Sequence, residues 1–196
     1  MDLTNRQLEI IETSLAIIAE QGIQGLTIKN LSQKIGITEP AIYRHFASKT
    51  EILLTILNNF MEMASFMGTV MNDNKDSALE KIEFMFSKII DIFSDTPSFI
   101  SVIFSEEIFK NDILLKTKII EILDMNEKTI ENIIQQGQEK GEIRNDVSYK
   151  NLSLIVMGTL RFRVKQWDLK DCHENLQKDG AELLESLKTL LAKSNS

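Results

Sequence analysis

The sequence predicts an all-α protein, with a three-helix N-terminal head containing a helix-turn-helix and a larger helical body, about nine helices in all. Three observations lead there. Apolar residues recur at steps of three and four along most of the 196 residues, the period of helices with one buried face. Two prolines and eight glycines are few for an all-β chain, and Val/Thr-rich alternating runs are lacking. Hydrophobic content of 43% and charged content of 26% fit a globular chain long enough to bury a core.

The elements follow in order. Thr4-Asn5-Arg6-Gln7 has the form of a capping box, and Leu8, Ile11, Leu15 and Ile18 give a first helix that stops near Gly22. Gly25 and Thr27 punctuate the start of a second helix, in which Leu31 and Ile35 share one face. Gly36 supplies a left-handed residue at its end, Ile37 fills the turn, and Thr38 offers a hydroxyl to cap the third helix. Pro40 falls in that helix's first turn, where a missing N–H costs nothing. Ile42 and Phe46 turn its apolar face back onto the second helix, leaving Tyr43, Arg44 and His45 outward.

Ser48-Lys49-Thr50-Glu51 opens a fourth helix carrying Leu53, Ile56, Leu57 and Phe60, which runs to Met67 or beyond. Residues 72–76 are a polar break. Ser77-Ala78-Leu79-Glu80 caps a fifth helix striped by Leu79, Ile82, Phe86, Ile89 and Phe93. Thr96-Pro97 reads as cap and first position of a short sixth helix reaching Phe109. Asn111-Asp112 starts a long helix through Ile119, Leu123, Ile130 and Ile133, ending at Gly141. Leu152, Ile155, Val156, Leu160 and Val164 mark an eighth, ending near Trp167. Asp171-x-x-Glu174 caps a ninth, which carries Leu176, Gly180, Leu183, Leu187 and Leu190. The expected division is a head of residues 1–47 and a body of 48–196, with helix 48–67 connecting.

The net charge of -7 is unevenly spread. Residues 1–50 hold five bases (Arg6, Lys29, Lys34, Arg44, Lys49) and five acids (Asp2, Glu9, Glu12, Glu20, Glu39), so the whole deficit lies further on. Four of those five bases fall from Lys29 onward, which leaves a modest basic face. So few bases imply weak non-specific DNA binding and the need for a dimer to gather phosphate contacts. Cys172 is the single cysteine, which excludes an internal disulfide framework and fits a reducing cytosol. Without an apolar leader or a membrane-spanning run, a cytoplasmic protein with no membrane partner is expected.

A short helix that shows Thr38, Glu39, Ala41, Tyr43, Arg44 and His45 to solvent suits the major groove of double-stranded DNA. Arg44 can make bidentate hydrogen bonds to guanine O6 and N7, Ala41 can meet a thymine methyl, and Glu39 can accept from a cytosine amino group. Thr27 and Lys49 stand at helix N-termini, where free N–H groups favour an anion. The run Leu26-Thr27 through Ile42-Tyr43-Arg44-His45-Phe46-x-Ser48-Lys49-x-Glu51-x-Leu53 resembles the TetR/AcrR family of bacterial transcription regulators, over roughly residues 5–57. The resemblance implies that Thr27, Tyr43 and Lys49 grip phosphates and that the body keeps a ligand cavity. Two residues depart from the motif. Ser32 stands where the tight contact between helices favours Ala, and Glu39 would repel phosphates without a base partner.

Residues 60–109 hold eight of the ten phenylalanines and five of the eight methionines. Phe84 and Phe86 cannot both face one side of a helix. Pliable Met and broad aromatic rings suit a cavity for variable apolar ligands, although they also fill ordinary cores. The lining assigned to such a cavity is Met63, Phe66, Met67, Phe86, Phe99, Phe104, Met125, Met157 and Arg161. Arg161 and Lys165, four apart, could hold a carboxylate or an acyl carrier's phosphate, or pair with Asp168 and Glu174. The last two helices offer a dimer seam at Leu152, Ile155, Val156, Gly158, Leu176, Gly180, Leu183 and Leu187, meeting a second copy as a four-helix bundle; the same stripes could instead face their own core.

An enzyme has little support. His45 and His173 are far apart without metal-ligand spacing, Cys172-His173 are merely adjacent, and no phosphate-cradling glycine loop occurs. The expectation is a homodimeric DNA-binding regulator with no catalysis, cofactor or metal: a repressor released from a palindromic operator by a small apolar or amphipathic effector. The alternatives are a helical interaction protein, or a DNA-binding regulator without a small-molecule ligand.

Overall fold

The computed structural model describes residues 3–73, 77–104, 109 and 112–193. Nine helices account for most of these residues: α1 (Asn5–Gly25), α2 (Ile28–Ile35), α3 (Glu39–Tyr43), α4 (Lys49–Asp73), α5 (Ala78–Asp95), α6 (Ser98–Ile103), α7 (Ile113–Glu139), α8 (Tyr149–Leu169) and α9 (Leu176–Leu191). Among the described residues, an isolated antiparallel bridge joins Ile143 to Ala192. No helix among the described residues is long and apolar enough to cross a membrane. The fold is all-α, as the sequence predicts.

Capping decides most helix starts. Thr4 and Gln7 form the expected box at α1, and Ser77 and Glu80 form one at α5. Ser148 caps α8 through Asn151 N–H. Asp112 caps α7, its Oδ1 accepting from Leu114 and Leu115 N–H. Three helices differ from expectation at their ends. Pro97 is the residue before α6 rather than its first position, and α6 ends at Ile103; the remainder of the segment expected to reach Phe109 lies largely outside the described residues. Asn175, not Asp171, caps α9 by accepting from Lys178 N–H. Asp171 and Cys172 instead take left-handed φ values of 55° and 58° and make the turn after α8. The first helix is interrupted at Gly22 (φ 69°, ψ 175°) as expected, yet helical residues resume up to Gly25.

The chain divides into two compact units. Met1–Glu62 and Pro97–Glu121 make the first; Met63–Thr96 and Ile122–Ser196 make the second. In the first, α1 packs on α2 and α6, and α2 on α3. Ile10, Ile17, Leu31, Ile42, Ile52, Ile56 and Leu57 are at most 1% exposed there. Each such side chain stabilises the unit by roughly 1.5–3 kcal/mol relative to exposure. Ile11 and Ile18 of the expected stripe are buried, with Ile10, Ser14 and Ile17 beside them, whereas Leu8 is 42% exposed.

In the second unit α5 packs on α8 and α9, and α8 on α9. Lys188 Nζ reaches Glu83 at 2.8 Å to tie α9 to α5. The turn after α7 folds back onto the start of α5. Glu142 accepts the Ala78 N–H at 2.6 Å, and a Cβ on Gly137 would stand 2.6 Å from Ala78 Cβ. Only a glycine allows that approach.

Candidate nucleic-acid interface

The helix-turn-helix is built as its residues dictate. Thr27 caps α2 by accepting from Asn30 N–H at 3.1 Å. Gly36 ends α2 in the left-handed region at φ 81°, and the N–H groups of Gly36 and Ile37 both donate to the Ser32 carbonyl at 3.0 Å. Ser32 is buried and spends its hydroxyl on the Lys29 carbonyl at 2.9 Å, which is how a polar residue is accommodated at the tight crossing.

Thr38 precedes α3 in extended conformation but makes no side-chain capping bond. The expected cap is thus absent, and the exposed hydroxyl faces outward beside Glu39 and Pro40. Beneath them Ile42 is 0% and Phe46 2% exposed, so the apolar face of α3 is sealed onto the head. Tyr43, 52% exposed, and Arg44 stand on the opposite face. Ala41 and His45 are half-buried, so His45 is less outward than its neighbours. The face that remains, with a hydroxyl, a carboxylate, a phenol and a guanidinium, can donate to and accept from base edges and phosphates.

Two supports were not legible from spacing. Gln7 accepts from the Thr4 N–H through Oε1 and donates from Nε2 to the His45 carbonyl at 3.5 Å, pinning the end of α3 to the start of α1. Lys49, expected at a phosphate, is half-buried and donates to the Ile23 carbonyl at 2.9 Å. Burial lowers its pKa below the ordinary lysine value. An ammonium has three donors, so this bond leaves others for a phosphate.

The residues assigned to a ligand cavity are divided. Phe99 and Phe104, both half-buried, belong to the first unit, where the Phe99 ring lies 6.2 Å from Phe60. The other seven belong to the second. There Phe86 is 0% exposed within the core, while Phe84 is 37% exposed. Met67, Met125, Met157 and Arg161 are half-buried. Met63 and Phe66 are exposed, Phe66 by 71%, and with Val70 they form an apolar stripe at steps of three and four along α4. Lys165 pairs with Asp168 at 2.8 Å.

Most of the expected dimer seam faces inward. Leu152, Val156, Leu176, Gly180 and Leu187 are buried in the protomer. A Cβ on Gly180 would stand 2.0 Å from Ile90 Cδ1, so this glycine serves the α5–α9 contact. Leu183 is half-buried, and Ile155 and Gly158 are exposed; a Cβ on Gly158 would meet nothing within 4 Å. The outward apolar side chains of α8 and α9 are instead Leu154, Ile155, Phe162, Leu169 and Leu190.

Spacing also missed Arg163. Its guanidinium joins α8 to α9 through Asp179 and to the segment before α9 through Glu174 at 3.0 Å, and donates to Gln166 at 2.9 Å. Arg163, Glu174 and Asp179 border an open groove of about 730 Å³ that also takes in Lys170, Lys178, Glu182 and Leu183.

Residues 10–56 match the family described as bacterial regulatory proteins, tetR family, and residues 57–193 match the C-terminal region of YsiA-like proteins. The fatty acid metabolism regulator protein of Bacillus subtilis (strain 168) is 23% identical over 184 residues, 93% of each chain. The probable acrEF/envCD operon repressor of Escherichia coli (strain K12) is 22% identical over 193 residues, 94% of this chain and 86% of that one. Among solved structures, the fatty acid degradation regulator FadR from Bacillus halodurans superposes with a TM-score of 0.83 at 20% identity, covering 96% of this chain and 97% of that one. FadR from Bacillus subtilis in complex with stearoyl-CoA gives 0.79 at 22% identity, covering 94% and 98%. With both halves matched and the fold shared end to end, the chain belongs to the TetR family of bacterial regulatory proteins.

Proposed function

We propose that the protein is a homodimeric transcriptional repressor that binds a palindromic operator and is released from it by a long-chain acyl-CoA. The observation that carries the DNA-binding part is α3 itself, sealed beneath by Ile42 and Phe46 and presenting Thr38, Glu39, Tyr43 and Arg44 outward. Residues 1–47 act as the reading head, with Thr27 and Tyr43, joined by Lys49 at the start of α4, on phosphates and Arg44, Ala41, Glu39 and His45 toward bases. Residues 48–196 supply effector binding and dimerisation. Two heads read half-sites one helical turn apart, ~34 Å.

The effector class is supported by two of the relatives, named for fatty acid metabolism and fatty acid degradation, and by a third whose structure holds stearoyl-CoA. It is also supported by the exposed Met63, Phe66 and Val70, a stripe that an acyl chain would cover at a gain of ~25 cal/mol per Å². Met67, Phe86, Met125 and Met157 extend the apolar side of the site, and Arg161 takes the phosphate end. A ligand that binds better when α4 is displaced shifts the population away from the DNA-competent form. The dimer seam is proposed at Ile155, Gly158 and Phe162 on α8 and Leu183 and Leu190 on α9.

Selection of the purified protein against random duplex DNA at near-physiological salt, followed by addition of stearoyl-CoA, tests this reading. Enrichment of a two-fold palindrome that stearoyl-CoA releases is expected. A folded, dimeric protein that enriches no palindrome would sink it.

A further inference from the structure

Three consecutive residues in the first turn of α4 each hold a different part of the chain. Lys49 donates to the Ile23 carbonyl in the last turn of α1. Glu51 accepts the N–H of Ala47, in the segment that follows α3. Thr50 donates from Oγ1 to Asp112 Oδ2 at 2.9 Å, across 62 residues of sequence.

Asp112 is bonded on both oxygens. Oδ1 accepts the N–H groups of Leu114 at 3.1 Å and Leu115 at 3.2 Å, satisfying donors that α7 would otherwise leave open. Oδ2 takes the Thr50 hydroxyl. A single carboxylate therefore caps one helix and holds the first turn of another, and all three bonds are strengthened by its charge. Leu115 and Ile119 anchor the start of α7 at 3% and 5% exposure, and Ile52 and Leu53 anchor the start of α4 at 0% and 3%. Both helices begin in the first unit and supply residues to the second.

We propose that the Thr50–Asp112 hydrogen bond is a latch through which a shift of α7 reaches the first turn of α4, and with it Lys49 and α3. Asp112 stays with α7 because its cap is bonded to that helix's own N–H groups. A displaced α7 therefore either pulls Thr50 with it or breaks the bond. Thr50 and Asp112 are positioning residues in this scheme, with no contact to DNA or effector. The inference rests on reading the chain as an effector-released DNA binder.

The test uses full-length Thr50→Val and Thr50→Ser with two readouts. Hydrogen–deuterium exchange without ligand reads the latch directly. Thr50→Val should speed exchange in residues 113–118 as well as 49–53, and Thr50→Ser, which keeps the hydroxyl, should restore both. On operator DNA, stearoyl-CoA should shift the dissociation constant of Thr50→Val about fivefold less than that of the parent, the ratio one net hydrogen bond supports. A bond that only stabilises the fold would leave that shift intact. A parental shift in Thr50→Val, or unchanged exchange in residues 113–118, would overturn the latch. If stearoyl-CoA moves no DNA affinity in the parent, the effector reading fails, and the exchange experiment still decides the latch.

Discussion

The ammonium of Lys49 lies 2.9 Å from the carbonyl oxygen of Ile23, so a side chain from the first turn of α4 closes the end of α1. A cation at a helix C-terminus meets the negative end of its dipole. Replacing Lys49 by Met keeps the stem and removes the charge. We expect DNA binding to weaken for all sequences, the salt slope to fall by about 0.9, and the melting temperature to drop as the carbonyl loses its partner. Melting and salt titrations read the two roles separately. An unchanged slope with a lower melting temperature would make Lys49 a positioning residue alone.

Arg44 stands exposed on the face of α3 opposite the sealed Ile42. Arg44→Ala should cost about 1–3 kcal/mol of specific binding and relax the preference at one operator base, with stability unchanged. Repeating the duplex selection with the variant checks this; an identical enriched sequence would remove Arg44 from base reading.

Phe162 is 71% exposed on α8, so Phe162→Glu should leave the protomer folded and make it monomeric in sedimentation. Val156, 0% exposed on the same helix, should instead lose the fold as Val156→Glu. A Phe162→Glu protein that remains dimeric would move the seam elsewhere.

Gly137 is expected to resist substitution despite its place inside a helix. An added Cβ would stand 2.6 Å from Ala78 Cβ and 2.8 Å from Ile143 Cδ1. Overpacking of about 1–3 kcal/mol should outweigh the ~1 kcal/mol of helix propensity gained, so Gly137→Ala should lower the denaturation midpoint. Gly158→Ala, with open space around it, should raise protomer stability.

Acid should weaken the second unit through three carboxylates. The Lys170 and Arg163 bonds hold Glu174 below its ordinary value, the Ser77 hydroxyl and N–H do so for Glu80, and the Arg144 bond does so for Asp146. A carboxyl lowered in the folded state stabilises it above the ordinary value and loses that contribution as pH falls through the folded one. The loss should therefore begin below about pH 4.5. Glu174→Gln should flatten the fall in melting temperature there, whereas a parental profile would count against it.

What could be read from spacing had partners close by in sequence. The boxes at Thr4-Gln7 and Ser77-Glu80 close over three residues, and Gly36 meets a need of its own backbone. Where the pattern was degenerate, the register slipped. In α9 the doublets Leu183-Leu184 and Leu190-Leu191 allow two stripes with the same steps, and the buried one runs through Leu184 and Leu191. Ile155 beside Val156 in α8 posed the same choice, and Val156 took the core.

The sequence by itself determined the helices, the helix-turn-helix and the face that α3 presents, because periodicity, caps and a left-handed glycine act within a few residues. Only the tertiary structure decided that Lys49 closes α1, that Asp112 holds Thr50, that Arg163 joins α8 to α9, and that Gly180 serves Ile90. Those partners lie up to 90 residues apart. A hydrogen bond or a close approach depends on where packing brings two segments together, and no local spacing encodes that.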